Sequence, residues 1–533
     1  MSSTVDAKHL DRLPLSRRRL MQASAGLTAS VAMMAAMHIE QAAAAQEATP
    51  IAPITPREGD VVEFSYLRPT WGPATFTKDG PFQQMLQEQG KAKIEVQIIP
   101  VIDFDTKINT VLASGEIPDV IWGSGPGRQI WKDAQDQGAF APINEYLDKY
   151  QAVREAVPES FWEMLKDDDG NIYFIPNLIY PIVPFFIFYR QDIFEAKGIA
   201  EPTSIDEFVA ALDQLKGDPN VSPLTMGYTW HAKDIGTSFD LSLNAWMPAP
   251  DNADHIDPWF VQQPQIDLHF WFQDLHKRLL LDQNYGINPE PNLSDDRFQG
   301  GKSAVALANW AKFPEFVTNL RKIDPNAKVG VISPMGETGG TRSVFPIDRG
   351  FYISAKMKNI DGFFDFLNWS LTGGTTLRRY GIEGKMFNVV DGAPQPIPNV
   401  DRDPAYQTPQ VEPLSFLAPM SEKLDWAANK LSYESAGVGD QFEYIKGKFE
   451  EYSRVQYPDW RNPLIISPTD GKDGTTLYED NLRPVIDSVI INHDRTKDDW
   501  AAALQKWRDQ GGDKIIEEVN ELQTDKSKPD YGV

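Results

Sequence analysis

The sequence predicts an α/β protein built as two large lobes around parallel sheet. Two observations carry that prediction. Between residues 61 and 122 the hydrophobic pattern switches repeatedly between a period of two and a period near 3.6, in the order strand, helix, strand, helix, strand. Strands that alternate with helices in this way pair in parallel, with helices on their faces. The second observation is length. Of 533 residues, the first 45 read as a removable segment, and the ~490 left are too many for one compact core.

The elements follow in order. Residues 46–60 are rich in Ala, Thr, Pro and Glu and read as an extended lead-in. Val61 to Tyr66 alternates as a first strand, 80–90 reads as a helix, and Ala92 to Ile99 is a second strand with Ile94, Val96 and Ile98 on one face. Asp103 to Leu112 is helical, and Asp119 to Trp122 is a short buried strand followed by a glycine-rich loop, Gly123 to Gly127. Residues 172–176, 185–190 and 303–308 are strand-like, and the strand-like run Leu224 to Thr229 leads to Trp230 and His231. Helices are expected over 205–215, capped by Thr203 or Ser204, over 270–281, and as a pair across 360–380. The apolar spacing of Trp500, Leu504, Trp507, Ile515, Ile516 and Val519 predicts one helix over 498–522. Ligands of parallel sheets sit at the carboxyl ends of the strands. The loops at Thr70-Trp71-Gly72 and Trp122-Gly123-Ser124 are therefore expected pocket walls.

The amino terminus reads as an export signal. Ser16-Arg17-Arg18-Arg19-Leu20-Met21 carries a twin-arginine pair, an apolar stretch to Met37 follows, and Ala42 to Ala45 offers small residues for a signal peptidase. The apolar part falls short of the ~20 residues that span a bilayer. Cleavage near Ala45 gives a mature chain from about Gln46, with no stable membrane insertion expected. The expected location is the periplasm, or the outside of a cell with one membrane, by the Tat route. A lipid anchor needs a cysteine at the cleavage site, and the chain has none.

Composition excludes several classes. The net charge is −25, and removal of the signal, with five basic residues against three acidic ones, makes the rest more acidic. Such a surface repels nucleic acid and anionic membrane. Zero cysteines exclude disulfides, thiolate metal sites and a cysteine nucleophile. The seven histidines show no zinc-site spacing. The acidic turns Asp167 to Asn171 and Asp470 to Gly474 miss the EF-hand pattern, because Leu178 stands at the twelfth position of the first and Lys472 at the third of the second. No metal and no cofactor are expected. No GxSxG, HExxH or P-loop motif is present, so an enzyme is not the expected reading.

Several segments carry a resemblance. Asp105 to Val120 (DTKINTVLASGEIPDV) resembles a stretch of the family 1 extracellular solute-binding proteins. Asp169 to Pro176, Tyr189 to Phe194 with Gly198 and Glu201-Pro202-Thr203, Phe298 to Val305 and Tyr380 to Gly384 are similar to that family in the same order. Trp500, Leu504, Gly511-Gly512 and Glu518-Val519-Asn520 resemble its long-chain branch, which includes binders of oligosaccharides and alginate-like polymers. The resemblance spans about residues 60–520 and is specific to the family, not to a ligand. It implies a two-lobe periplasmic-binding-protein fold of the maltose-binding (type II) kind, with the ligand cleft between lobes. The first lobe is expected over 56–177 and 345–395, the second over 178–344 and 396–533, with 46–55 as lead-in. It implies ABC permease transmembrane subunits as partners and a monomer, while the tryptophan-rich loops favour a carbohydrate, an oligosaccharide, as the ligand.

Sugars present apolar C–H faces and hydroxyl rims, so a binder needs flat aromatics with fixed donors and acceptors. The expected ligand residues are Trp71, Trp122, Trp230, His231 and Trp310, which follow strands, and Arg349 and Tyr352 near the expected interlobe crossing. The alternative for each Trp is core packing, and for Arg349 a hinge salt bridge. Trp271, Trp369, Trp500 and Trp507 lie within helix patterns and are expected in the core, and Asp119 is expected to cap its loop or accept from a ligand hydroxyl. Three other readings stay open. One is a non-sugar solute such as a peptide, polyamine or phosphorylated compound, another is a secreted carbohydrate-active enzyme, for which paired carboxylates among 76 acidic residues decide nothing, and the third is a surface adhesin or sensor partner without transport.

Overall fold

The computed structural model describes residues 51–523 and 529, except 71–74, 219–220, 228–232, 243–244, 286–291, 348, 391, 398–400, 416 and 418–425, and 470–475. The export signal, Trp71, Trp230, His231 and the acidic turn at 470 lie outside the described residues. Residues 51–533 form one compact unit.

Two sheets organise it. The first contains β1 (Val62–Thr70), β2 (Ala92–Pro100), β3 (Val120–Ser124), β4 (Phe174–Asn177) and β12 (Arg349–Ile353) in the order β2-β1-β3-β12-β4. The helices Pro81–Gly90 and Val101–Ser114 connect its first three strands. The second contains β5 (Phe185–Arg190), β6 (Ser222–Met226), β9 (Ser303–Asn309) and β10 (Val329–Ile332) in the order β10-β5-β9-β6. Three two-stranded pairings complete the set: β7 (Trp246–Ala249) with β8 (Asn252–Pro258), β11 (Thr341–Arg342) with β15 (Gln456–Tyr457), and β13 (Phe387–Val390) with β14 (Ala393–Pro396).

The expected parallel pairing holds for β1 with β2 and β3, and for β6 with β9. Both sheets are nevertheless mixed. β12 runs antiparallel to β3 and β4, and β5 runs antiparallel to β9 and β10. The period of two sorts the side chains of the second sheet between separate cores. Ile187, Tyr189, Val305, Leu307 and Ile332 enter one, and Phe186, Phe188, Ala306, Ala308, Val329 and Val331 enter the other. The core around the first sheet draws on residues from Val62 to Leu178 and again from Ile347 to Leu417.

The helix over Ile205–Leu215 starts as expected, with the Ser204 hydroxyl accepting from the Glu207 N–H. The helix expected over 270–281 instead runs Gln263–Lys277, because Pro264 occupies its first turn. The single helix expected over 498–522 is broken. Lys497–Trp507 and Asp513–Leu522 are separate, joined by a wide turn in which Gly511 has φ +119°, a conformation that a side chain strongly disfavours. Both pieces still deliver Trp500, Trp507, Ile515, Ile516 and Val519 to one outlying core.

That core holds His269 at 1% exposure, stacked on Trp259 at 5.4 Å and edge-on to Trp500. Its Nδ1 lies 2.8 Å from the Gln265 carbonyl oxygen, which can only accept, so Nδ1 carries the proton. Burial pushes the imidazole pKa down to about 4. The unfolded chain therefore binds this proton first. The stabilisation is full above about pH 6.5 and is lost as pH falls toward 4, with a ceiling of about 3 kcal/mol at ~1.4 kcal/mol per unit. Asp295, raised by burial to about 6, acts with the opposite sign in the same window, so the informative quantity is a difference. Replacing His269 with Phe should lower stability at pH 7, and the gap to the native protein should close as urea midpoints are followed down to pH 4.5.

Candidate functional site

The chain leaves the first sheet at Asn177 and enters the second at Phe185, then returns from Ile332 to Arg349. These two crossings pair with each other. The Ile179 N–H donates to the Pro346 carbonyl at 3.1 Å, the Val344 N–H to the Pro181 carbonyl at 2.8 Å, and Ile182 bridges Ser343. A short antiparallel ribbon thus joins the two sheets at their edges.

At the edge of the first sheet, register aligns Ser124 of β3, Arg349 of β12 and Asn177 of β4 in one row. Trp122, Phe351 and Ile175 form the next row inward on the same face, because side chains two apart share a face. Arg128 reaches this edge from the loop beyond β3. Its Nη1 lies 3.3 Å from Ser124 Oγ and 3.0 Å from Asp105 Oδ1. The Trp131 indole N–H donates to the Ser124 carbonyl at 3.0 Å. At the edge of the second sheet, Phe185 is in register with Asn309, and Trp310 follows as the first residue of a short 3-10 turn whose cap is the Asn309 side chain.

The expected residues are therefore partly assembled. Trp122 and Arg349 share an edge and a face. Trp122 is 6% exposed and packs edge-on against Phe104, with ring centroids 5.3 Å apart. Trp310 belongs to the other sheet. It is 6% exposed and sits 5.0 Å from Phe449 and 5.7 Å from Trp426. Tyr352 points to the opposite face from Trp122 and stacks against both Trp131 and Phe140, with ring centroids 5.0 and 4.5 Å away. It is buried, and it lines a pocket of about 140 Å³ bounded by Lys132, Gln135, Lys166, Tyr173 and Leu464. Asp119 is taken up by the fold. Its Oδ2 accepts from the Ser65 N–H and hydroxyl at 2.8 and 2.9 Å, which ties β3 to β1.

The carboxyl-terminal part of the chain closes on this region. The backbone at Pro463 comes so near the loop beyond β3 that a Cβ on Gly127 would lie 2.2 Å from the Pro463 carbonyl oxygen. Asp459 is half-buried, accepts from the Trp246 and Arg461 N–H groups at 3.0 and 3.1 Å, and has its pKa raised by desolvation against the opposing pull of Arg461 and Arg342. Ser124 lies in a loop that sequence reasoning expected as a pocket wall, whereas Arg128, Asn309 and Asp459 were not singled out. Arg128 lies just past the glycine-rich loop after β3, a position that marks it. Asp459 has no comparable signal, because its partners come from distant segments. Among the described residues no cluster of three or more His, Cys, Asp or Glu is placed to hold a metal ion. Asp167 Oδ1 is used by its own turn, accepting from the Asp169 and Asn171 N–H groups at 3.0 and 2.7 Å. No helix among the described residues is long and apolar enough to cross a membrane.

Two sheets are thus joined edge to edge by one paired ribbon, and comparison with known proteins decides the family. The profile of the bacterial extracellular solute-binding protein family matches residues 73–373, more than half of the chain. The chain belongs to this family. Among curated relatives, the lipoprotein LipO of Bacillus subtilis strain 168 is 21% identical over 482 residues, covering 86% of this chain and 91% of LipO. The polygalacturonan/rhamnogalacturonan-binding protein YtcQ of the same strain is 20% identical over 490 residues, covering 87% and 93%. Among solved structures, the alginate-binding protein AlgQ2 superposes with a TM-score of 0.68 at 18% identity, over 88% of this chain and 99% of AlgQ2. The S. pneumoniae substrate-binding protein FusA in complex with kestose gives 0.65 at 14%, over 86% and 98%. The fold is thus the two-lobe, type II solute-binding fold.

The contact at Gly127 gives a direct test of how tightly the carboxyl-terminal part is applied. Gly127→Ala should cost about 1–3 kcal/mol through forced separation of the two backbones. Gly447→Ala, in a helix with open space around the added Cβ, should be neutral or stabilising. Urea unfolding of the two variants side by side checks this.

Proposed function

We propose that this chain is the exported solute receptor of an ABC importer, and that it captures an oligosaccharide by closing its two lobes and delivers it to the permease. The observation that carries the reading is the row of polar and cationic groups at Ser124, Arg349 and Arg128 on one sheet edge, joined by a two-stranded ribbon to Asn309 and Trp310 on the other. Membership of the solute-binding family supports capture. The sugars named for YtcQ, AlgQ2 and FusA support a carbohydrate. We place Trp122 and Trp310 as rigid aromatic walls, with Arg349 as a donor to hydroxyls or a uronate carboxylate. We add Trp71, Trp230 and His231 from their positions after strands, and Tyr352 as a support beneath the edge. We assign the first lobe to 56–177 and 345–417 and the second to 178–344 and 418–533. The reach of the first core to Leu417 supports moving the third crossing from 395 to beyond 417.

The reading includes no catalysis and no cofactor, since the role of such a receptor ends with delivery. It also includes Tat export with cleavage near Ala45, a periplasmic location, and a monomer. Peptide or polyamine capture is the competing reading of the same cleft.

Thermal melting of the chain from Gln46, with neutral and uronate oligosaccharides, peptides and polyamines in turn, tests the ligand class. A ligand at a hundredfold excess over its Kd adds about 2–3 kcal/mol to the native state. A selective rise with one oligosaccharide, which is recovered uncleaved, is expected. A rise with peptides or polyamines and none with sugars would sink the carbohydrate assignment. Export is tested separately. Replacing Arg17 and Arg18 together with Lys should leave the full-length protein inside the cell with its signal attached, as fractionation and intact mass would reveal.

A further inference from the structure

The ribbon between the sheets is anchored in the second lobe by one side chain. Asp234 belongs to the short helix Lys233–Thr237 and is 3% exposed. Its Oδ2 accepts from the Phe185 N–H at 2.5 Å and from the Thr341 hydroxyl at 3.0 Å, and its Oδ1 accepts from the Arg342 N–H at 3.2 Å. Phe185 is the first residue of β5 on the outgoing crossing, and Thr341 and Arg342 form β11 on the returning one. One carboxylate therefore holds both strands where they enter the second lobe.

Two neighbouring contacts extend the anchor. The peptide unit between Pro184 and Phe185 is held from both ends, with its N–H on Asp234 and its carbonyl accepting from the Trp310 N–H at 3.0 Å. Three residues along the helix, Thr237 Oγ1 accepts from the Gly340 N–H at 2.9 Å. A Cβ at Gly340 would lie 2.1 Å from the Val455 carbonyl oxygen, so the strand is pressed against its β15 neighbour as well. Beyond this cluster, toward the first sheet, the ribbon has the Ile179–Pro346 and Val344–Pro181 hydrogen bonds and the Ile182–Ser343 bridge.

We propose that the Asp234 carboxylate is a latch that fixes both paired interlobe strands to the second lobe at the level of Trp310, so that the bending of these two strands is confined to residues 178–184 and 343–347. Asp234 is a positioning residue in this scheme. It sets where the chain bends, and it keeps the Trp310 backbone in a constant relation to the bend. A carboxylate suits the place because three donors converge on it and it has only acceptors to offer. An amide there turns an NH2 group toward at least one of those donors. The proposal rests on the two-lobe reading and not on the identity of the solute.

The test uses the ligand-free protein and its lack of native cysteines. Spin labels are placed on Glu95→Cys in the first lobe and on Ile323→Cys, an exposed helix residue of the second, and the distribution of distances between them is measured by pulsed dipolar spectroscopy. Hydrogen exchange is followed at the Phe185 and Arg342 amides and at the amides of the β5–β9 ladder. Asp234→Asn should speed exchange at Phe185 and Arg342 at least tenfold, leave the ladder protected, and broaden the interlobe distances. Thr341→Val removes one of the three bonds and keeps the carboxylate, so it should give a smaller change of the same kind in a chain that still folds. Faster exchange with an unchanged distance distribution in both variants would make Asp234 a local cap and overturn the proposal, as would unchanged exchange. Failure of every solute in the melting panel would leave this result readable.

Discussion

The backbone pairing of the two crossings, Ile179 to Pro346 and Val344 to Pro181, constrains the rest of the architecture. The chain leaves the first sheet at the carboxyl edge, after β4. It has about seven residues in which to reach the second sheet, so it enters at the nearest edge. That edge is where β9 and β6 end. A strand that starts where its neighbours finish must run against them, which is why β5 is antiparallel to β9. The return trip imposes the same rule on the first sheet. β12 starts at the edge where β3 ends, and so it runs antiparallel to β3 and β4. The exceptions to parallel pairing follow from joining two sheets edge to edge by a short ribbon. The prolines at 181, 184 and 346 fit the same constraint. Pro181 and Pro346 lend carbonyls to the ribbon and Pro184 lends its carbonyl to the Trp310 N–H; all three have no N–H to leave unsatisfied and fix φ where bending freedom would otherwise be greatest.

This also explains what could be read before the structure. The first three strands and their helices are local: alternation in Val62–Thr70 and Ala92–Pro100 and the amphipathic run between Val101 and Ser114 follow from neighbours in the chain. Ser204 announces its helix by the same local logic. The direction of β5 and β12 is not local, because an antiparallel buried strand and a parallel one have the same composition. The break at Gly511 was hidden for a related reason. The apolar spacing continues across it because both helices face the same core, so periodicity alone reads one helix where there are two.

The candidate site divides along the same line. Trp310 was legible because it follows a buried strand, and the carboxyl end of a strand is an edge in this class of fold; Trp122 was expected just after its strand and instead lies within β3, one row in from that edge. Arg349 was legible only through the expected crossing. Arg128 lay beside a visible loop and was passed over because nothing in its own spacing distinguishes a positioned guanidinium from a solvated one. Its partners, Ser124 and Asp105, become neighbours only after β3 pairs with β1 and the helix Val101–Ser114 packs alongside. Asp234 and Asp459 are harder still. Each is one acid among 76, and its role depends on donors contributed by segments about 50 to more than 200 residues away.

The burial of the two tryptophans bears on how such a site would work. Each is 6% exposed, which at first favours a purely structural role. A ring left loose on the surface, however, must be ordered when a ligand arrives, at a cost of roughly 0.5–1.5 kcal/mol per mobile side chain. A ring wedged against Phe104, or between Phe449 and Trp426, has already been ordered by folding. The surface it would offer a sugar under the proposed function is small, but its orientation is fixed. The same reasoning applies to Arg128, which Asp105 and Ser124 hold in place before any solute is present. In a chain with a net charge of −25, a guanidinium beside a carboxylate is not fully neutralised for a hydroxyl-rich ligand. Its fork still has N–H groups to direct, and the acid restricts where they point. Under the proposed capture by closure, preorganisation of this kind would place the affinity in the closed state. It would make the axis of closure, and so the anchoring of the ribbon, as important to recognition as any group that would touch the solute.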